Sequence, residues 1–398
     1  MRDFFTQLRN AFRLNRKSIA IDQHYNFFTN RHPSSFVADQ PGQPVKSRLK
    51  LIAYYLTQFH PIPENNIAWG EGFTEWSNTS RAYPLFEGHY QPRLPASLGY
   101  YDLRISDVME KQIAMAKKYG VNGFCFYYYW FNGRRLLEQP LNRFLDDKSL
   151  QMEFCFCWAN GNWTRKWDGS DREIIAEQRY SASSYHDIVR DMIPAFHDER
   201  YIRVNNKPIV IIYQVHDIPN IKELCKIWRA ACADAGIPEI LILASNTFNY
   251  STPLEDGLDG IAEFPPHGLT TRSITTQKQF FTGGFSGRVY DYAAAAKLAS
   301  EKEFPDYFYA MGVMVSWDNT ARVGNRSRIY DGSSPEAFRN WLEASAQKTM
   351  GQHSGPAHSL LFINAWNEWA EGTYLEPDQH FGYAYLSACR DVASQYPE

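Results

Sequence analysis

The 398-residue chain has no run of about 18 uninterrupted apolar residues, so no segment reads as a membrane-crossing helix. Its N-terminus, MRDFFTQLRNAFRLNRK, lacks the apolar stretch and small-residue cleavage site of a secretory signal, and a cytoplasmic setting is expected. Net charge is nearly absent: 41 Lys and Arg against 44 Asp and Glu leave −3, with both signs interspersed. Nucleic acid normally demands a concentrated basic field, so no such partner is expected. The six cysteines, Cys125, Cys155, Cys157, Cys225, Cys232 and Cys389, show no CxxC spacing and sit inside hydrophobic runs. They read as reduced buried thiols, and the Asn-x-Ser/Thr matches at Asn78, Asn162, Asn249 and Asn325 then read as chance. No His/Cys/Asp cluster has metal-ligand spacing, so no metal or other cofactor is expected. Gly-x-Ser-x-Gly is missing too. Thr282-Gly283-Gly284-Phe285-Ser286-Gly287 lacks the Lys-Ser/Thr of a phosphate loop and reads as a mobile loop over the site.

Aromatic residues are plentiful: 25 Tyr, 26 Phe and 11 Trp, 16% of the chain. A core needs apolar volume but not so many rings with polar handles. Tyr and Trp suit a wet surface that stacks on flat faces such as those of sugars.

Residues 1–47 differ from the rest. Phe5, Leu8 and Phe12 recur at helical spacing among Arg2, Arg9, Arg13, Arg16 and Lys17, and Pro33 to Lys46 reads as an irregular linker. The helix reads either as packed on the main domain or as lying on an anionic membrane through residues 1–17. Over 48–398, strand-like runs alternate with helical patterns. Strands are expected at 51–55, 121–128, 153–158, 208–213, 240–244, 257–263, 308–315 and 360–365. Helices are expected near 102–119, 136–145, 184–196, 218–235, 290–300, 335–348 and 382–394. Eight such units without a Rossmann glycine fingerprint point to an α/β fold, a closed (β/α)8 TIM barrel with an N-terminal helical extension.

Barrel enzymes build their sites on the loops after the strands. Here those loops share a composition of Trp, amides, carboxylates and Arg, as hydroxyl recognition requires. Candidate substrate-binding residues are Tyr55, Gln58, His60 and Trp76 after strand one, and Tyr128 and Tyr129 after strand two. Strand three is followed by Trp158, Asn160, Trp163, Arg165, Trp167 and Asp168. Trp317, Asp318 and Arg322 follow strand seven, and Trp366 and Asn367 follow strand eight. The candidate catalytic pair is Glu368 and Glu371, whose spacing of three puts both on one side of a turn. Glycosyl transfer commonly uses two carboxyl groups, one as acid and the other as base or nucleophile. Surrounding Trp side chains are expected to desolvate one of them and raise its pKa.

The segments YLTQFHPIPENNIAWGEGFTEW, GFCFYYYWFNGRRLLEQPL, CFCWANGNWTRKWDG, SWDNTAR and INAWNEWAEGTYLEPD together resemble the WbsX-like family of bacterial surface-polysaccharide loci. That family is similar in turn to glycoside hydrolase family ninety-nine, the endo-α-mannosidases and endo-α-mannanases. The resemblance spans about residues 50–390. It implies a (β/α)8 barrel, no metal, and retention of anomeric configuration. By resemblance, Glu368 deprotonates the sugar 2-hydroxyl, which attacks the anomeric carbon to give a 1,2-anhydro sugar, and Glu371 serves as acid and then base. The chain departs from the family pattern at Gly161, where a glutamate is usual, and at Tyr128, where a histidine is common. Altered contacts at the site rim are expected from both. The functional classes are then a retaining glycosidase or transglycosidase on an α-mannose-like unit, a glycosyltransferase of O-antigen or capsule, and a non-catalytic glycan binder.

Overall fold

The computed structural model describes residues 35–165, 170–351 and 359–398, with side chains at 170–172 also left undescribed. The amphipathic helix expected in residues 1–17, together with Trp167 and Asp168, lies outside the described residues.

Eight parallel strands form the centre: β1 Lys50–Tyr55, β2 Val121–Tyr128, β3 Glu153–Trp158, β4 Lys207–Ile212, β5 Leu241–Ser245, β6 Gly260–Ala262, β7 Phe308–Met314 and β8 Leu360–Asn364. Each pairs with its neighbour in chain order, and β8 pairs back onto β1 through Lys50–Leu360 to Ala53–Ile363, which closes the barrel. Among the described residues, seven helices surround it: α1 Ser106–Lys118, α2 Gln139–Asp146, α3 Ala182–Phe196, α4 Ile221–Asp234, α5 Tyr292–Glu301, α6 Pro335–Gly351 and α7 Ala384–Ala393. A loop alone joins β5 to β6. The fold is a (β/α)8 barrel, as the sequence pattern predicts.

Both faces of these strands are covered, so the strands read as continuous apolar runs. In β4, for example, Ile209, Val210, Ile211 and Ile212 are all buried. Successive side chains nevertheless alternate between lumen and helix layer. On β1 and β2, Tyr54 and Tyr127 lie in the lumen and contact each other at 5.9 Å. Tyr55 and Tyr128 take the opposite side and bond to Gln112 of α1 and Asp191 of α3.

The stretch expected as a linker is fastened to the barrel from residue 35 onward. Val37 exchanges backbone hydrogen bonds with Phe381 and Tyr383, and Asp39 accepts from Lys118 and Tyr119. The glycine-rich loop is fastened as well: Phe285 stacks on Phe280, and the Ser286 and Gly287 N–H groups bond to Asn325. No described helix is long and apolar enough to cross a membrane.

Candidate active site

The chain leaves β8 in a tight hairpin. Asn367 and Glu368 pair antiparallel with Tyr374 and Thr373, and a 3-10 turn over Trp369–Glu371 joins them. Gly372 closes the turn at φ +63, where a Cβ would come within 3.0 Å of the Asp318 carbonyl oxygen. Glycine therefore satisfies both the left-handed backbone and the close approach. The turn brings the two glutamates to one guanidinium: Arg322 Nη2 lies 2.5 Å from Glu368 Oε1, and Nη1 lies 2.6 Å from Glu371 Oε1.

A third carboxylate completes the cluster. Glu75 Oε2 stands 3.2 Å from Arg322 Nη2, and Glu75 is 1% exposed. It begins a short helix, Glu75–Thr79, whose Thr74 cap accepts from the Trp76 N–H. One cation thus serves three carboxyl groups in a site largely closed to water. Burial pushes the Glu368 carboxyl well above its ordinary range; Glu371 and Glu75 push the same way while Arg322 pulls it down. Burial also raises Glu75 against the pull of Arg322. Glu371 is the most open of the three, with 22% of its side chain exposed.

The loop that carries Arg322 is organised by Asp318. That buried carboxylate accepts from His89 Nε2 at 2.6 Å, Gln91 Nε2 at 2.7 Å and the Thr320 N–H at 3.0 Å. His89 Nδ1 accepts from the Leu85 N–H, which makes Nε2 the protonated nitrogen. Burial pushes Asp318 up, but His89 and Arg93 outweigh it and hold the carboxyl well below the usual range. Behind the turn, Glu376 accepts four hydrogen bonds: from Gln112 at 2.6 Å, Trp369 at 2.7 Å, Tyr101 at 2.8 Å and Trp366 at 3.0 Å. Burial pushes its carboxyl up to about 7 while these donors pull it back.

Around the carboxylates the lumen is lined by rings. Tyr127 and Tyr129 are each close enough to Glu368 for its charge to add to burial in raising their phenols. Tyr129 accepts from Gln58 at 2.7 Å and stacks on Trp163 at 5.7 Å. Arg165, which pairs with Glu173, lies over the Trp69 ring at 5.1 Å on the same rim.

The expected residues therefore divide. The structure gathers Glu368, Glu371, Arg322, Tyr129, Gln58 and Trp163. It places Tyr55, Tyr128 and Trp158 in the layer between strands and helices, Trp158 against Trp228 of α4 at 5.9 Å. The tyrosine that departs from the family pattern at 128 thus faces Asp191, not the rim. Trp366 is turned toward Glu376, and Asn367 ties the hairpin to β1 through the Leu56 backbone. Asn160 joins the β3 and β4 loops through Gln214 and Tyr180. His60 is 2% exposed beside Asp102, and Trp76 is wedged between Phe59 and Trp369. Asp318 spends its oxygens on the loop, and Trp317 is buried where it pairs antiparallel with Tyr330, outside the barrel sheet. At Gly161 a Cβ would meet Gln214 Oε1 at 2.6 Å, so Gln214 occupies the space a larger residue would need. Sequence reasoning puts Glu75 on the site-forming loop after β1, between Thr74 and Trp76, but gives it no role, and it leaves out Tyr127, Tyr213 and Glu376.

A family model described as "Glycosyltransferase WbsX" matches residues 51–389. The chain belongs to the WbsX family. This WbsX protein is 42% identical over 348 residues to the uncharacterized protein WxcX of Xanthomonas campestris pv. campestris, in each of two strains. The match covers 87% of this chain and 50% of each relative, so the chain spans about half the length of the curated relatives it matches. Among solved structures, it resembles the family ninety-nine endo-α-mannosidase of Bacteroides thetaiotaomicron with a TM-score of 0.52 and 15% identity. That likeness covers 87% of this chain and 96% of the mannosidase. A glycoside hydrolase-like protein is similar at a TM-score of 0.54 and 13% identity, covering 90% of this chain and 98% of that one. At such identities the likeness concerns the barrel fold. Together with the family, it gives the protein a fold of the carbohydrate-active enzyme type.

Proposed function

We propose that this WbsX protein is a retaining glycoside hydrolase or transglycosidase acting on an α-mannose-like unit of a bacterial polysaccharide. The observation that carries the reading is the Arg322 clasp, which holds Glu368 and Glu371 at the C-terminal mouth of the barrel under a wall of rings. Two carboxyl groups in unequal surroundings suit a divided acid/base task. Glu368 is the more buried, and burial keeps its carboxyl protonated to higher pH. The ionised form, which grows as pH rises, is the active one and is the stronger base. Glu371 is the more open and faces the leaving group.

In the reaction, Glu368 takes the proton of the sugar 2-hydroxyl, and that oxygen attacks the anomeric carbon. The glycosidic bond breaks as Glu371 protonates the departing oxygen, leaving a 1,2-anhydro sugar. The Glu371 carboxylate then takes a proton from water or an acceptor hydroxyl, which attacks the same carbon. The oxygen at position 2 regains its proton from Glu368, and the configuration is retained. Arg322 keeps the two carboxyl groups within one guanidinium's reach and limits their mutual repulsion, while the closed surroundings strengthen every charge interaction.

Replacing Glu371 by Gln is expected to lower kcat on α-mannosides by about 10²–10⁴-fold with glycan binding kept, as loss of a general acid requires. Turnover at the unmodified rate overturns the assignment, and an inverted product configuration overturns the 2-hydroxyl scheme. The family description favours a second reading, a glycosyltransferase. Glutamate-dependent transfer from a sugar nucleotide, with no turnover of any α-mannoside, decides for it.

A further inference from the structure

On the side of the barrel mouth formed by β4, β5 and β6, a line of rings leads away from the carboxylates. Tyr127, beside Glu368, contacts Tyr213 at 6.4 Å, and Tyr213 contacts His267 at 6.4 Å. His267 contacts Phe248 at 5.1 Å, and Phe248 contacts His216 at 4.9 Å. Tyr213 directly follows β4, Phe248 follows β5, and Phe264 and His267 follow β6, so the line lies on the C-terminal face that carries Glu368 and Glu371. Thr247 Oγ1 donates to the Tyr213 carbonyl at 2.5 Å and fixes the β5 loop to the β4 loop.

Phe248 is the odd member of this line. It is 56% exposed, although burying its ring would be favourable. Its backbone sits at φ 51, followed by Asn249 at φ 63. Of the six described non-glycine residues at positive φ, four are Asn, and Leu137 is buried at 1% exposure. Phe248 alone among them pairs a left-handed backbone with an exposed aromatic ring. A bulky residue in that region is strained, and strain of this kind persists where the surroundings impose it, commonly at ligand sites. Here the surroundings are specific. The Phe248 N–H donates to His267 Nδ1 at 3.4 Å, and the ring is flanked by two imidazoles. That bond leaves His267 Nε2 as the N–H donor of a neutral ring, since burial pushes its pKa down to about 4. An exposed ring face beside imidazole nitrogens suits a sugar: the C–H face stacks and the hydroxyls find partners.

We propose that Phe248, flanked by His216 and His267, is a stacking platform for a pyranose unit of the glycan beyond the unit held at Glu368 and Glu371. It rests on the glycan-processing reading above and adds a second binding position to it. A chain-length series of α-linked mannooligosaccharides, from two to six units, tests it in the full-length protein. The wild type gains kcat/KM with length. Phe248→Ala loses about tenfold on the longest member and nothing on the shortest, whereas Phe248→Trp keeps the length dependence. Phe248→Gly relieves the backbone, so its Tm holds or rises while the long-chain gain disappears. A merely structural Phe248 gives the reverse pattern, a lowered Tm with unchanged length dependence, and overturns the platform. If Phe248→Ala matches the wild type at every length while Glu371→Gln is dead, the platform falls and the catalytic reading stands. If the wild type turns over no member, both fall.

Discussion

Arg322 is the residue on which the site's charge depends. With Glu75, Glu368 and Glu371 all within 3.2 Å of its guanidinium, removing it leaves three carboxyl groups facing one another in a poorly hydrated space. Breaking a buried pair from one side costs about 3–5 kcal/mol. Arg322→Met is therefore expected to lower the unfolding free energy by about that amount at neutral pH, with much of the loss recovered on acidification as the glutamates protonate. Denaturant unfolding at two pH values checks it; a loss independent of pH removes the clasp from the account. Glu368 has its own signature. Its carboxyl lies above the ordinary 4.5, so between that pH and its raised value the folded chain holds a proton that the unfolded chain releases. Stability from this group is full below about 4.5 and is lost as pH rises through the raised pKa. Glu368→Gln cannot ionise, so its Tm relative to wild type is expected to become more favourable as pH rises from about 5 to about 8. A difference flat across that range contradicts the raised carboxyl.

At the scale of elements, the question is which side of a strand faces the lumen. Tyr127 and Tyr128 are adjacent, yet one faces Glu368 and the other Asp191 of α3. Tyr127→Phe is expected to lower kcat/KM about tenfold or more with little change in Tm. Tyr128→Phe is expected to cost about 1 kcal/mol, the worth of one hydrogen bond, with kcat/KM within about twofold. Equal effects on activity would put both rings in the same surroundings. This contrast also marks how far the sequence could be read. All eight strands and their helices were legible because apolar runs, breaks and helical periods are local signals. Lumen parity was not, because a strand covered on both faces is apolar at every position and loses the alternation that reveals its buried side. That is why Tyr55, Tyr128 and Trp158 stood among the candidates and Tyr127 did not. The glutamate pair was legible because a 3-10 turn is itself local. Glu75 stands on the site-forming loop after β1, but its pairing with Arg322, remote in the chain, became visible only once the barrel closed. Glu376 needed the same closure, since its donors come from three separate segments.

For the molecule as a whole, the two ends of the barrel make different demands. A cavity of ≈ 880 Å³ opens at the N-terminal end, lined by Lys46, Lys117, Lys148, Glu153, Asp198 and Arg200 among others. Its charges are largely spent on the fold: Asp198 pairs with Lys148 and Arg200, and Arg200 holds the Leu150 carbonyl. Such contacts serve stability, whereas chemistry in this architecture belongs to the loops at the other end. Lys46→Ala with Lys117→Ala is therefore expected to leave kcat/KM on α-mannosides within about twofold of wild type. Gly372→Ala, at the opposite end, is expected to be costly in both respects. The new Cβ meets the Asp318 carbonyl oxygen at 3.0 Å and the φ of +63 disfavours any side chain, so the turn must shift. Strain of about 1–3 kcal/mol falls on the one turn that sets Glu368 against Glu371, and a displacement of about 1 Å there can cost about 10²-fold in rate. Parallel measurements of Tm and kcat/KM on the two variants separate the faces: a drop in turnover from the lysine pair, or none from the glycine, would reverse the assignment of ends.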